Sequence, residues 1–223
     1  MPEIKWHQPG AKQYELGVDR GVLYPVNLES GAYGTGVAWN GLTNVAQSPS
    51  GAEQTKHYAD NTVYATTQSA EEFAATIEAF TYPIEFGKCD GSAEVLPGVE
   101  IGQQMRVPFG FAYRKLIGND TKGIQAGYKL HLLYGLTAKP SENAAETIND
   151  SPEPSTFSWE CDSVPVDAGN GYQPTARVTI NSMNVPTAKL KAIEDILYGR
   201  GAGNTNPRLP LPTEVFTILA CLS

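Results

Sequence analysis

A chain of 223 residues with 41% hydrophobic composition can bury the core of one β-rich domain, which excludes disorder throughout. Its 16 Lys and Arg against 24 Asp and Glu leave a net charge of −8, so it is not built to hold nucleic acid by releasing counterions. No apolar run approaches the ~18 residues needed to span a bilayer. The polar start (Met-Pro-Glu-Ile-Lys-Trp-His) is unlike a signal peptide, and the expectation is a soluble protein made in the cytosol.

Residues 1–14 are polar and unpatterned and are expected to form an N-terminal arm that becomes ordered against a partner. Gly17 to Leu28 reads as a strand interrupted by Pro25, and 31–36 as a glycine-rich loop. Between Val37 and Val45 the Asn40-Gly41 dipeptide favours a type I′ turn joining two short strands. Gln47 to Gln54 is a Ser/Pro/Gly loop, and Asn61 to Thr67 a strand. Glu71 to Phe86 holds good helix formers, but Pro83 would cut a helix short, which decides for an extended chain. Lys88 to Gly98 is expected to be a loop.

The stretch from Gln103 to Lys139 predicts a long β-hairpin. Phe109, Phe111 and Tyr113 alternate with small or polar residues before the Gly118-Asn119-Asp120 turn cluster, and Tyr128, Leu130, Leu132 and Tyr134 alternate after it. The expectation is one greasy face shared by both strands. Residues 138–154 form a polar loop of a length tied to function or disorder. Phe157–Val166 and Thr175–Met183 read as strands. Residues 186–198 carry the clearest helix, with Leu190, Ile193, Ile196 and Leu197 on one face, Pro186 in the first turn and Gly199 past the end. Residues 199–223 read as a Gly/Pro/Asn loop followed by an apolar closing strand from Glu214 to Leu222. The whole is a single domain.

The chemistry-bearing residues do not assemble into a catalytic pattern. Cys89, Cys161 and Cys221 are odd in number, lack metal-ligand spacing and read as free thiols. His7, His57 and His131 are too scattered for a metal site or a triad. The 31–36 run lacks the Lys-Ser/Thr and the helix of a phosphate loop. Glu160 and Asp162 share a strand face, yet nothing else supports a glycosidase pair. Trp6, Trp39 and Trp159 could form a sugar platform but more often anchor a core or an interface. The expectation is no enzyme, no cofactor and no metal.

Charge is unevenly spread. Arg106, Arg114, Lys115, Lys122, Lys129 and Lys139 fall on the hairpin, whereas residues 140–176 carry no Lys or Arg but seven carboxylates: Glu142, Glu146, Asp150, Glu153, Glu160, Asp162 and Asp167. Such separation on a chain without catalytic equipment points toward self-assembly.

Particular phrases then matter: residues 17–24 (Gly-Val-Asp-Arg-Gly-Val-Leu-Tyr), 36–43 (Gly-Val-Ala-Trp-Asn-Gly-Leu-Thr), 76–86 (Thr-Ile-Glu-Ala-Phe-Thr-Tyr-Pro-Ile-Glu-Phe), 101–104 (Ile-Gly-Gln-Gln), 109–120 (Phe-Gly-Phe-Ala-Tyr-Arg-Lys-Leu-Ile-Gly-Asn-Asp) and 127–135 (Gly-Tyr-Lys-Leu-His-Leu-Leu-Tyr-Gly). In this order they resemble the major tail, or tail tube, protein of long-tailed bacteriophages, of the type found in phages of Gram-positive bacteria. The resemblance implies an all-β, β-sandwich tail-tube fold with one flanking α-helix, whose inner strands form a shared barrel in a hexameric ring. It implies a structural role: stacked rings make the tail tube that conducts DNA during genome ejection, in a virion assembled from protein made in the host cytoplasm. The partners implied are other copies of the chain, a tape-measure protein, and the tail terminator and distal tail proteins. DNA would pass without specific binding, and no membrane is involved. Arg106, Arg114, Lys115, Lys122 and Lys129 become candidate inter-subunit cations. Glu142, Glu146, Asp150, Glu153, Glu160 and Asp162 become candidate lumen or interface acids. The alternative is a different class of protein, a β-sandwich module of a virion or cell surface that binds a receptor or carbohydrate.

Overall fold

Alternating apolar residues form strands along most of the chain. The structure, a computed structural model, describes residues 4–145, 147–148, 150, 154–169, 171–200 and 206–221. Its strands are β1 (Gln13–Pro25), β2 (Val37–Trp39), β3 (Leu42–Gly51), β4 (Gln54–Ala59), β5 (Thr62–Gln68), β6 (Glu71–Ala79), β7 (Ala93–Leu96), β8 (Val99–Ile101), β9 (Phe109–Asn119), β10 (Gly123–Ala138), β11 (Phe157–Ser163) and β12 (Arg177–Asn181). Helices α1 (Gly87–Asp90), α2 (Thr187–Tyr198) and α3 (Pro212–Cys221), with a 3-10 turn at Ile84–Phe86, complete the described elements.

Eight strands make one antiparallel sheet in the order β2-β1-β9-β10-β11-β6-β3, with β12 pairing β10. β12 takes the 129–133 part of β10 and β11 the 136–138 part, so the two lie end to end along one edge. Only Asn40 and Gly41 separate β2 from β3, yet these strands stand at opposite ends of the path. The sheet must therefore curl until its ends meet. The Asn40-Gly41 turn does not join two paired strands, as its sequence predicts, but makes the corner where the chain crosses from one sheet end to the other. β3 continues to Gly51 through the predicted 47–54 loop, and its edge position accommodates Pro49.

Inside the curl lies the first core. Leu23, Phe109, Phe111 and Leu133 from one layer face Phe73, Ile77 and Trp159 from the other. Trp39 sits at its centre, with ring centroids 4.5 Å from Phe86 and 5.5 Å from both Phe111 and Trp159. The second core lies on the outer face of β1, β9, β10 and β12 beneath α2 and α3, and contains Val22, Leu130, Leu132, Ile180, Ile193, Leu197 and Val215. Each fully buried side chain of this size stabilises the fold by about 1.5–3 kcal/mol. Two tyrosines lock the helix layer down: Tyr24 donates from its hydroxyl to the Leu197 carbonyl at 2.8 Å, and Tyr134 to the Pro210 carbonyl at 2.9 Å.

The hairpin forms where expected, but not with one greasy face. Phe111 is paired with Leu133 and Ala112 with Leu132, so the 109/111/113 stripe points into the curl while the 130/132/134 stripe points at the helices. β9 and β10 are buried on both sides. A bulge at Gly135 supports this: its φ is +60°, and a Cβ there would stand 2.1 Å from the Val164 carbonyl oxygen, so only glycine fits.

Four further corrections concern helices and strands. Residues 214–221 form a helix rather than a closing strand. Val215, Ile218 and Leu219 fall at helical spacing against the second core, and a short apolar run cannot be assigned by periodicity alone. Instead of one flanking helix, α2 and α3 lie side by side, each presenting apolar residues to the sheet, while α2 buries Leu190, Ile193 and Leu197 as its pattern predicts. The expected 88–98 loop holds most of α1 and all of β7. Of the extended chain expected over 71–86, residues 71–79 form the strand, whereas Ile84–Phe86 turn into a 3-10 helix that follows Pro83.

Candidate functional site

The hairpin's cations lie across from β1. Antiparallel pairing sets Asp19 opposite Arg114, and the guanidinium donates from Nε and Nη2 to the two carboxylate oxygens at 2.8 and 2.6 Å. Register also sets Lys115 directly opposite Lys129, a like-charge pair that costs stability unless neutralised. Glu15 supplies the neutralising charge. It accepts from Lys129 and stands 3.1 Å from Lys115, and these contacts hold its carboxyl below the usual range.

The predicted cations and acids are therefore distributed as follows. Arg114, Lys115 and Lys129 meet β1 carboxylates within the chain. Arg106 donates from Nη1 to the Ala138 carbonyl at 3.0 Å. Lys122 stands exposed in the β9–β10 turn and forms no ion pair among the described residues. Glu160 and Asp162 both reach Lys139, at 3.8 and 2.8 Å. Glu142 and Asp150 are exposed. Glu146 and Glu153 lie outside the described residues, as do parts of the expected 138–154 loop and residues 1–3 of the arm. The arm is anchored at its end, where the Gly10 amide donates to Asp120 Oδ1 at 2.9 Å. Glu15 and Asp19 are the partners that charge patterning misses: they sit about a hundred residues away, and only β1–β9 register brings them in.

The remaining candidate groups are occupied by packing. Cys89 and Cys161 are buried, and burial pushes both thiols up to about 12. His131 stacks on Tyr113 with ring centroids 4.8 Å apart, and its Nδ1 lies within hydrogen-bond range of Gln47 and Thr179. Burial holds its pKa down to about 4. Trp39 and Trp159 belong to the core, whereas Trp6 is 73% exposed. Among the described residues no cluster of His, Cys, Asp and Glu is placed to hold a metal, and no helix is long and apolar enough to cross a membrane.

Surface features stand out instead. β4–β5 and β7–β8 are separate two-stranded hairpins outside the main sheet. Every residue of β4 and β5 is exposed, Tyr58 at 69% and Tyr64 at 78% among them. Val95, Leu96, Val99 and Ile101 are exposed on β7–β8. Among the described residues, β2, β3 and β12 each pair on one side only. At the corner where β1, β2 and β3 meet, a groove of about 560 Å³ is lined by Val18, Ala38, Trp39, Leu42, Arg20 and Tyr198, among others. Arg20 is held there in the left-handed region at φ 51°, its guanidinium over the Tyr198 ring at 5.8 Å. Two-stranded hairpins are marginal alone in water, and exposed apolar patches on projecting elements mark contact surfaces. No protein-family model matches the chain, and no curated protein matches it in sequence.

Proposed function

We propose that this chain is a structural subunit that works by polymerising, the tube subunit of a long-tailed phage tail. Copies would join into hexameric rings through a shared inner barrel. Stacked rings would enclose a tape-measure protein, meet the terminator and distal tail proteins at the ends, and later conduct DNA. The observation that carries this reading is a pair of hairpins outside the main sheet that hold large apolar side chains in water. A monomer gains nothing from holding Tyr58, Tyr64, Val95 and Leu96 in water, whereas burial against another copy would return the usual hydrophobic stabilisation. Open edges on β2, β3 and β12 add backbone donors and acceptors for strand pairing between copies. The net charge of −8 suits a conduit that must let a polyanion slide past. Electron microscopy of the purified full chain tests the proposal. Rings or tubes are expected at raised concentration or with the other tail proteins; a discrete monomer or trimer that binds cell-wall glycans would replace it with the surface-binding alternative.

A further inference from the structure

The β7–β8 hairpin carries a charge conflict. Antiparallel register puts Glu94 directly opposite Glu100, and no cation forms a salt bridge with either among the described residues. Like charges facing each other across a strand pair are unfavourable. Glu94 does accept from the Gly98 amide of the turn at 2.9 Å, which fixes its position but leaves the negative charge in place. Around the two carboxylates, Val95, Leu96, Val99 and Ile101 are exposed, between 45 and 62%. The tip is therefore apolar and acidic, with no Lys or Arg from Ala93 to Ile101.

The corner groove has the opposite character. Its walls are Val18, Leu42 and Tyr198, and its exposed charge is Arg20. The one carboxylate beside Arg20 in the groove, Asp19, is engaged by both oxygens with Arg114, and no carboxylate pairs with Arg20 among the described residues. The positive φ at Arg20, uncommon for a residue with a side chain, turns the guanidinium over Tyr198 rather than along the strand. The projecting β4–β5 hairpin is a poorer match, because its Lys56 adds a like charge.

We infer that the β7–β8 tip of one copy docks in the β1/β2/β3 corner groove of a second copy. Leu96 and Val99 enter between Val18, Leu42 and Tyr198, and Arg20 neutralises Glu94 and Glu100. This contact rests on the self-assembly reading and gives it one specific heterologous interface, in which the two surfaces differ and a chain of copies can propagate. The acidic tip finds the cation that its own chain does not supply, and the groove's apolar walls are covered.

A charge swap tests it on the full-length protein, with self-association followed by sedimentation velocity and electron microscopy. Arg20→Glu and Glu94→Arg/Glu100→Arg, each made alone, should weaken association about tenfold or more, because each sets like charges face to face. Combining the two in one chain should restore association toward wild type. Arg20→Gln should weaken it less than Arg20→Glu. All three positions are on the surface, and circular dichroism should show unchanged folding. In a Cys221→Ser background, mixing Asn40→Cys copies with Leu96→Cys copies should yield a disulfide-linked heterodimer. Rings or tubes that form normally in every single-site variant, or no rescue in the combination, would overturn this docking and leave the assembly reading intact. A wild-type chain that stays monomeric at all concentrations would overturn both.

Discussion

The β9–β10 ladder and the β7–β8 hairpin share a secondary structure and differ in nearly everything else. β9 and β10 have a core on each face, one inside the curled sheet and one beneath α2 and α3. β7 and β8 have a core on neither, and their apolar residues stand in water. The difference separates two tasks. Stability is concentrated where a strand is covered twice, and the hairpins, which add little to it, are the surfaces that the proposed assembly would use.

The first way to break this comparison is to put a charge into each region. Ile193→Asp or Phe111→Asp buries an uncompensated carboxylate and should cost more than about 4 kcal/mol, giving insoluble or unfolded protein. Leu96→Asp, on the hairpin, should change stability by no more than about 0.5 kcal/mol. Urea denaturation measures both. Similar losses at the two sites would dissolve the distinction.

The double burial of the β9–β10 hairpin explains what its sequence conveys and what it conceals. Period-two alternation places both strands and the turn correctly, because the pleat alone determines that pattern. It does not reveal that the two stripes face opposite ways, since that depends on the register leaving the turn, which sets Phe111 opposite Leu133 and Tyr113 opposite His131 and so puts the 130/132/134 stripe on the other face. The α2 helix is legible from Leu190, Ile193 and Leu197, with flanking Pro186 and Gly199. The α3 helix is not, because Val-Phe-Thr-Ile-Leu is as apolar as a buried strand and the partners that decide it lie on β1 and β10. The candidate site was legible only as charge. Basic residues on the hairpin are evident, but Asp19 and Glu15 become their partners through strand order, which no local pattern encodes.

That ladder gives a middle-sized effect. Arg114 is mostly buried between Asp19 and the Tyr128 ring, with its guanidinium 4.8 Å from the ring centroid. Arg114→Ala should lower stability by about 1–2 kcal/mol, read from the denaturation midpoint. Lys122→Ala, on the exposed turn, should leave the midpoint in place. An unchanged midpoint for Arg114→Ala would mean that the pair is no more than a solvated surface contact.

An effect confined to acid concerns His131. The folded chain keeps it neutral down to about pH 4 because burial disfavours the imidazolium, and Lys115, Lys129 and Arg177 oppose it further, while Glu15 favours it. An unfolded chain takes up that proton near 6.5. Stability should therefore be full above about pH 6.5 and fall as pH drops toward 4, by roughly 1–3 kcal/mol allowing for partial solvent access. Glu15, with its carboxyl held low, adds a further loss only below 4.5. His131→Gln should flatten the dependence between pH 6.5 and 4 while leaving the more acidic limb. A wild-type profile that is already flat in that window would contradict the burial of the ring.

Hydrogen exchange on the full-length protein, at low concentration and again under assembling conditions, tests most directly whether the body carries stability and the hairpins carry association. Amides of β9 and β10 should exchange slowly in both states, at rates set by global unfolding. Amides of β4–β5 and β7–β8 should exchange fast in the free subunit and become protected on assembly. Hairpins that are already protected in the free subunit, or that exchange equally fast in the assembled state, would contradict the account.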